Sequence, residues 1–427
     1  MKHNPVAGRN DRWGSVLQLK GVRICRVSTV PVFMATLIRS QIDYLTEIGM
    51  RVTLVSSEGP EWSSFEIDEK LSVKKINIPR SLKPWQDLVA LVRLTSFFLS
   101  RRFDIVHSTT PKAGLLTALA AFIARVPVRL HTYTGQPWVT LHGPLRWSAR
   151  LADRVIGLLS TKCYADSDSQ AKFLAKEGIL AARKIAVIGR GSIAGVDLIR
   201  FDPDKFSTAE KQQLRKALSI AENSKIIIYV GRITKEKGIS ELLAAFNALL
   251  DQNYDVDLIL AGPQDQDCSG TKSSIMGSPG QCPRIHWIGY TDRPEKYLSL
   301  SDIFCLPSYR EGFGTSVIEA AAMGLPTVGT RINGIVDSVI HGETGLLVPA
   351  RDGQMLLGAL KQLLDQPAEI KRMGKEARRR CFQYYDAEQI NRMVAEEYVD
   401  VLKKGKGLRN NYSVNEKGPR KQKENSV

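Results

Sequence analysis

The chain is poor in the features that would place it outside the ordinary globular classes. Across 427 residues there are six cysteines. They follow no regular spacing, so a disulfide framework is not expected. Cys268 and Cys282 bracket a polar Gly/Ser loop and form the pair that oxidation could bridge. Neither C-x-x-C nor H-x-x-x-H occurs, which removes the common zinc spacings. Long apolar runs are missing too: the longest, Ala113 to Ala124, falls short of a bilayer core of about 30 Å. The opening MKHNPVAGRNDRWGSV lacks the apolar centre of a signal peptide. Acidic residues are the scarcer charge, 44 against 60 Lys and Arg, leaving a formal +16. That excess suits nucleic acid, an anionic membrane surface or phosphorylated substrates. No RNA-binding signature, zinc finger or basic helix with interleaved aromatics is present, so nucleic acid is not expected as a partner.

What remains is ordinary in composition and regular in pattern. Hydrophobic residues make up 43% and charged residues 24%, so a chain of this length holds two or three domains with their own cores. Strand-length apolar runs alternate with helix-length ones: Val22–Ser28, a helix over Phe33–Ile48, then Arg51–Ser56. The β–α–β order predicts a parallel, doubly wound sheet. The run Asp104–His107 enters the loop Ser108–Gly114, whose Thr110, Pro111 and Lys112 match helix-start chemistry. Val128–Leu130 delivers His131 to the sheet edge where such folds bind ligands. The first loop, Thr29-Val30-Pro31, has no glycine, so it is expected to face an acceptor rather than a nucleotide. Thr29 is therefore a candidate acceptor contact, as are Thr110 and Lys112; Lys112, beside a helix N-terminus, also makes a second plausible phosphate site. Asp166-Ser167-Asp168 and Asp255-Val256-Asp257 have D-x-D form, and the former is read as a helix cap.

The second half carries the sharper signal. Ile226–Val230 is a strand of the buried type, followed by Gly231-Arg232-Ile233-Thr234-Lys235-Glu236-Lys237-Gly238 and a helix. Further on, Ile303–Leu306, the loop Pro307–Gly314, the helical run Thr315–Met323 and the strand Pro326–Gly329 make another strand–loop–helix–strand unit. Its loop brings unpaired amides and a positive helix end to one point, which suits an anion. Glu311 lies in that loop. Glu319 shares a helix face with Thr315, about one turn or roughly 5.4 Å further along. That spacing fits a carboxylate accepting both hydroxyls of a ribose. By itself, an E-x7-E pair is equally a helix cap and a solvated side chain.

Taken together, EGFGTSVIEAAAMGLPTV and GIVDSVIHGETGLLVP resemble the C-terminal signature of family 4 retaining glycosyltransferases. The resemblance implies a GT-B fold: two Rossmann-like doubly wound domains facing across a cleft, with a C-terminal helix crossing back to the first. It implies an acceptor domain over residues 21–200 and a donor domain over 201–385. A crossover helix over 386–403 and disordered ends, 1–20 and 404–427, complete the expectation. Gly189-Arg190-Gly191-Ser192 and Gly195-Val196-Asp197 resemble the family's interdomain crossing. Arg232 and Lys237 match the pair that grips the donor diphosphate, with help from the Gly314 and Thr315 amides; Gly312 and Phe313 of the same loop are expected at the donor. Glu319 would bind ribose, Glu311 the transferred sugar, and His131, in HTYTGQPW, would lie beside that sugar.

The expected chemistry is a retaining transfer of a hexose or N-acetylhexosamine from a UDP-sugar. The expected acceptor is a lipid-diphosphate glycan, used in cell-surface polysaccharide assembly at the inner membrane face, with no cofactor and no metal. Pro79–Arg102 is both basic and amphipathic, so it reads as a membrane-surface segment or as an ordinary helix on its sheet. Two alternatives stay open: a UDP-N-acetylhexosamine 2-epimerase, and a non-catalytic sugar-nucleotide or polyanion binder.

Overall fold

Strand-length runs that are apolar on both faces need cover on both faces, and parallel sheets wrapped in helices supply it. The computed structural model describes residues 16–65, 67–264 and 282–414, with side chains as far as Lys404. Cys268, most of the Gln264–Arg284 insertion, residues 1–15 and 415–427 lie outside the described residues. The first lobe runs β1 (Arg23–Val27), α1 (Arg39–Glu47), β2 (Arg51–Ser56), β3 (Leu71–Lys75), α2 (Pro84–Arg101) and β4 (Ile105–Thr109). It continues through α3 (Pro111–Ile123), β5 (Val128–Tyr133), α4 (Gly143–Leu159), β6 (Lys162–Ala165), α5 (Asp168–Lys176) and β7 (Ile185–Ala186). Its seven strands form one parallel sheet in the order β3-β2-β1-β4-β5-β6-β7.

The second lobe begins with α6 (Thr208–Ala217), β8 (Lys225–Val230), α7 (Ile239–Asp251), β9 (Val256–Ala261), β10 (Ile285–Gly289) and α8 (Pro294–Leu298). Then come β11 (Ile303–Leu306), α9 (Thr315–Ala322), β12 (Thr327–Thr330), α10 (Ile335–Ser338), β13 (Gly345–Val348), α11 (Gly353–Asp365) and α12 (Pro367–Tyr384). Its sheet, also parallel, has the order β10-β9-β8-β11-β12-β13. The last helix, α13 (Ala387–Val414), returns to the first lobe. There Tyr398 is buried with Ile390 and Val394 against Ile38, Ile42 and Leu45.

Each sheet reverses its winding once, between β1 and β4 and between β8 and β11. Ligands of such sheets bind at the reversal, outside the strands' carboxyl ends. Thr29 and Thr110 follow β1 and β4, while the Arg232–Lys237 turn and the Glu311 loop follow β8 and β11. The two candidate clusters therefore occupy the two reversal points. The lobes are joined twice. Val196 and Asp386 form a bridge, with Val196 N–H donating to the Tyr385 carbonyl at 2.7 Å and Ala387 N–H to that of Val196 at 2.9 Å.

Several local expectations are corrected. The helix expected from Phe33 opens as a π-turn, Phe33–Leu37, before α1. The edge strand β3 escapes a hydrophobic reading because LSVKK exposes three of its five residues. The crossover helix expected over 386–403 starts at Ala387, parted from α12 at Tyr385–Asp386 where the chain crosses between lobes, and extends past residue 403 to Val414. Disorder expected through residue 20 gives way to a turn at Leu17–Leu19 that buries Leu19.

Candidate active site

The second-lobe cluster is assembled by two loops held in contact. Gly238 (φ 67°) closes the first loop, and a side chain there would run into the Pro307 carbonyl. Tyr309 N–H donates to the Glu236 carbonyl at 2.8 Å, and Arg310 pairs with the Glu236 carboxylate at 2.7 Å. Lys237 pairs directly with Glu311, whose carboxylate also accepts from Ser308 Oγ at 2.8 Å. Both partners are largely enclosed, at 19% and 13% side-chain exposure. Arg232 stands exposed beside them, its carbonyl accepting from the buried Tyr229 hydroxyl at 2.7 Å. Burial holds that phenol well above its ordinary pKa; Glu311 reinforces this while Arg232 opposes it. Sequence reasoning thus placed Arg232, Lys237 and Glu311 at one point, and the structure brings them together. It missed Tyr229, Glu236 and Ser308, which carry no motif and act by holding the loops.

Gly314, in the left-handed region, starts α9, and Thr315 opens its first turn. Glu319 lies one turn on and is partly enclosed. Burial pushes its carboxyl up to about 7; Arg200 draws it down and Glu295 adds to the rise. Phe313, expected near the donor, is buried with its ring edge-on to Tyr385 at 5.2 Å. Its side chain is therefore part of the core at the lobe junction. Only its backbone remains as a donor contact.

Gly312 sits where the lobes touch. Its carbonyl accepts from Ser167 Oγ at 3.0 Å, and a Cβ there would lie 2.7 Å from the Thr134 carbonyl oxygen and 2.8 Å from Asp166 Oδ2. Asp166 is buried in this seam, with Oδ1 unpartnered among the described residues, and burial raises its carboxyl to about 8. As read from the sequence, Ser167 caps α5 by accepting from Gln170 N–H. The seam role of Asp166 was not legible, because only folding puts it against a residue 146 positions away. Thr140, Ser169 and Asp337 complete the seam: the Thr140 hydroxyl donates to Glu236, and Ser169 N–H to Asp337 at 3.2 Å.

The first-lobe residues are arranged differently. Thr29 and Thr110 meet, hydroxyl to hydroxyl at 2.8 Å. Lys112 is turned aside: its ammonium pairs with Asp87 of α2 at 2.7 Å and donates to the Ser81 carbonyl. His131, expected to lie beside the sugar, is 1% exposed. Its Nδ1 is 2.9 Å from Ser108 Oγ, its ring lies edge-on to Tyr133 at 4.6 Å, and α3 approaches it through Gly114. Burial lowers its pKa to about 3, so the imidazole is neutral. The structure puts His131 one layer beneath the cleft, while Thr134, Gly135 and Thr140 of the loop that follows meet the other lobe. Asp257, from the other D-x-D stretch, is buried on His286 Nε2 at 2.7 Å and Ser224 Oγ at 2.5 Å.

Comparison with known proteins agrees with this geometry. Residues 34–191 match the glycosyl transferase 4-like domain, and residues 210–380 match the glycosyl transferases group 1 family. The chain is 29% identical over 371 residues to the capsular polysaccharide biosynthesis glycosyltransferase CapM of Staphylococcus aureus, covering 87% of this chain and 95% of that one. It is 25% identical over 340 residues to the Escherichia coli UDP-Gal:alpha-D-GlcNAc-diphosphoundecaprenol alpha-1,3-galactosyltransferase, covering 78% and 85%. Among solved structures, Anabaena HepE in complex with UDP and glucose superposes with a TM-score of 0.72 at 20% identity, over 88% of this chain and 99% of that one. Two facing doubly wound lobes, each matched to its own glycosyltransferase domain, make this chain a glycosyltransferase of the GT-B fold, with a 4-like first domain and a group 1 second domain.

Proposed function

We propose that the enzyme transfers a hexose or N-acetylhexosamine from a UDP-sugar to a lipid-diphosphate glycan, with retention, in cell-surface polysaccharide assembly. The observation that carries the donor half is the Arg232–Lys237–Glu311 cluster at the second lobe's reversal point. Lys237 exchanges Glu311 for the donor diphosphate, and Arg232 adds a planar, two-pronged donor. Negative charge grows on the departing UDP, so cations fixed there act where the barrier is highest. Amides of Gly314 and Thr315 share that load, and Glu319 accepts the ribose hydroxyls. Released from Lys237, Glu311 contacts the transferred sugar.

Attack and departure take place on one face of the sugar, without a covalent glycosyl–enzyme intermediate. Trapping sugar bonded to Glu311 would overturn that step. The cations of the chain serve in place of a metal, so EDTA is expected to leave turnover unchanged. The acceptor half draws on the relatives in polysaccharide synthesis, one of them acting on a diphosphoundecaprenol-linked sugar. On this reading the enzyme works at the inner face of the cytoplasmic membrane. The test is to screen UDP-sugars for raised melting temperature, then assay the hit with and without a lipid-diphosphate acceptor. Product that forms only with acceptor supports transfer; an altered UDP-sugar formed without acceptor would mean epimerisation instead.

A further inference from the structure

Of twenty large apolar side chains exposed among the described residues, twelve fall between residues 82 and 158. Ten of these lie on α2, α3 and α4, helices that cover one face of the first lobe's sheet. Helix α2 buries Ala90, Leu94 and Phe98 inward, so the membrane-or-core choice posed by Pro79–Arg102 resolves by face. Phe97 and Phe98 belong to the packed side. Outward, Trp85, Leu88, Val92 and Leu99 form a stripe at helical spacing, with Trp85 75% exposed. Helix α3 packs beside α2, and a groove of about 670 Å³ between them is lined by Val92, Leu99 and Ile123. On its other side α4 adds a second stripe, Trp147 (66% exposed), Leu151 and Leu158.

The same region is strongly cationic. Residues 76–159 hold eleven Lys and Arg against three Asp and no Glu, half of the whole chain's excess of +16. All three acids are already engaged: Asp87 by Lys112, Asp104 by the Arg23 amide, and Asp153 by Trp138 Nε1. An apolar face with unopposed positive charge matches an anionic lipid surface, where aliphatic and indole groups enter the interface and Arg and Lys meet headgroups. A second copy of this chain would instead bring like charge to like.

We propose that the outward face of α2, α3 and α4 is a membrane-docking surface for anionic lipid. It rests on the lipid-linked acceptor reading above and sharpens it. Each of these helices starts at the sheet edge where Thr29 and Thr110 lie, so Trp85 and Trp147 flank the first turn of α3. Docking by this face sets the mouth of the first lobe's reversal point at the headgroup layer, where a membrane-borne diphosphate would present its sugar.

The test uses the full chain, sedimented with phosphatidylcholine vesicles with or without about 30% phosphatidylglycerol. Binding is expected only to the anionic vesicles. The double variants Trp85→Glu/Val92→Glu and Trp147→Glu/Leu151→Glu should each lower it on the order of tenfold, while Phe382→Glu on the second lobe should not. Both double variants should keep wild-type turnover with a short-chain, water-soluble acceptor and lose it with acceptor in vesicles. Equal binding to neutral vesicles, no binding, or unchanged binding by both double variants overturns the proposal. So does a dimer in sedimentation velocity that the α4 variant dissociates, since the face would then be covered by a second copy. A chain that docks but uses only soluble acceptors would sink the acceptor reading and leave the surface standing.

Discussion

The two reversal points have the same topology and opposite chemistry. In the second lobe, β8 and β11 end in loops cross-linked by Lys237–Glu311 and Arg310–Glu236, so charge is concentrated at the cleft. In the first, β1 and β4 end in a pair of threonine hydroxyls, and the nearby lysine is paired away from the cleft with Asp87. A diphosphate needs fixed cations. A sugar hydroxyl needs neutral hydrogen-bonding groups and no competing charge. In the proposed reading, one fold, used twice, is divided between two substrates by which side chains its loops leave at the edge.

That contrast can be broken most severely in the second lobe. Lys237→Ala removes the cation proposed to meet the leaving group and breaks its ion pair with Glu311; kcat should fall by about 10²–10³, in steady-state assays at saturating donor. A fall of less than about threefold would mean the diphosphate lies elsewhere. Next comes the seam. Gly312→Ala places a methyl against Thr134 and Asp166, so the lobes cannot meet; turnover should drop about tenfold or more, with a larger radius of gyration in solution scattering.

The seam also has a pH signature. The Asp166 carboxyl, raised from its ordinary 3.8 to about 8, takes up a proton on folding at pH values between those limits. Stability therefore falls as pH rises through that window, because the folded state binds the extra proton. Asp166→Asn should flatten the decline in melting temperature between about pH 5 and pH 9; an unchanged slope would remove Asp166 from the account. The smallest effect belongs to the first lobe. Lys112→Ala should cost about 1 kcal/mol of stability through the lost Asp87 pair, with acceptor KM unchanged. An acceptor KM raised about tenfold or more would instead return Lys112 to phosphate binding.

Strand-length apolar runs in Ile226–Val230 and Ile303–Leu306 made the doubly wound pattern legible, because a buried parallel strand has no polar face to disguise it. The loops after those runs were legible through the family resemblance, since an Arg and a Lys in a loop are by themselves most often solvated charges. The edge strand Leu71–Lys75 was not, for an exposed strand leaves no apolar periodic trace.

By itself the sequence determined which residues could serve a donor: local spacing puts Arg232 and Lys237 in one turn, and Thr315 and Glu319 on one helix face. Tertiary structure alone decided which of the candidates reach the cleft. It covered His131 with α3, drew Lys112 to Asp87, folded Phe313 into the core and pressed Asp166 against Gly312. The physical reason is range. A turn or helix face is fixed by neighbours a few residues away, whereas burial and pairing are fixed by whichever distant element the chain packs against them.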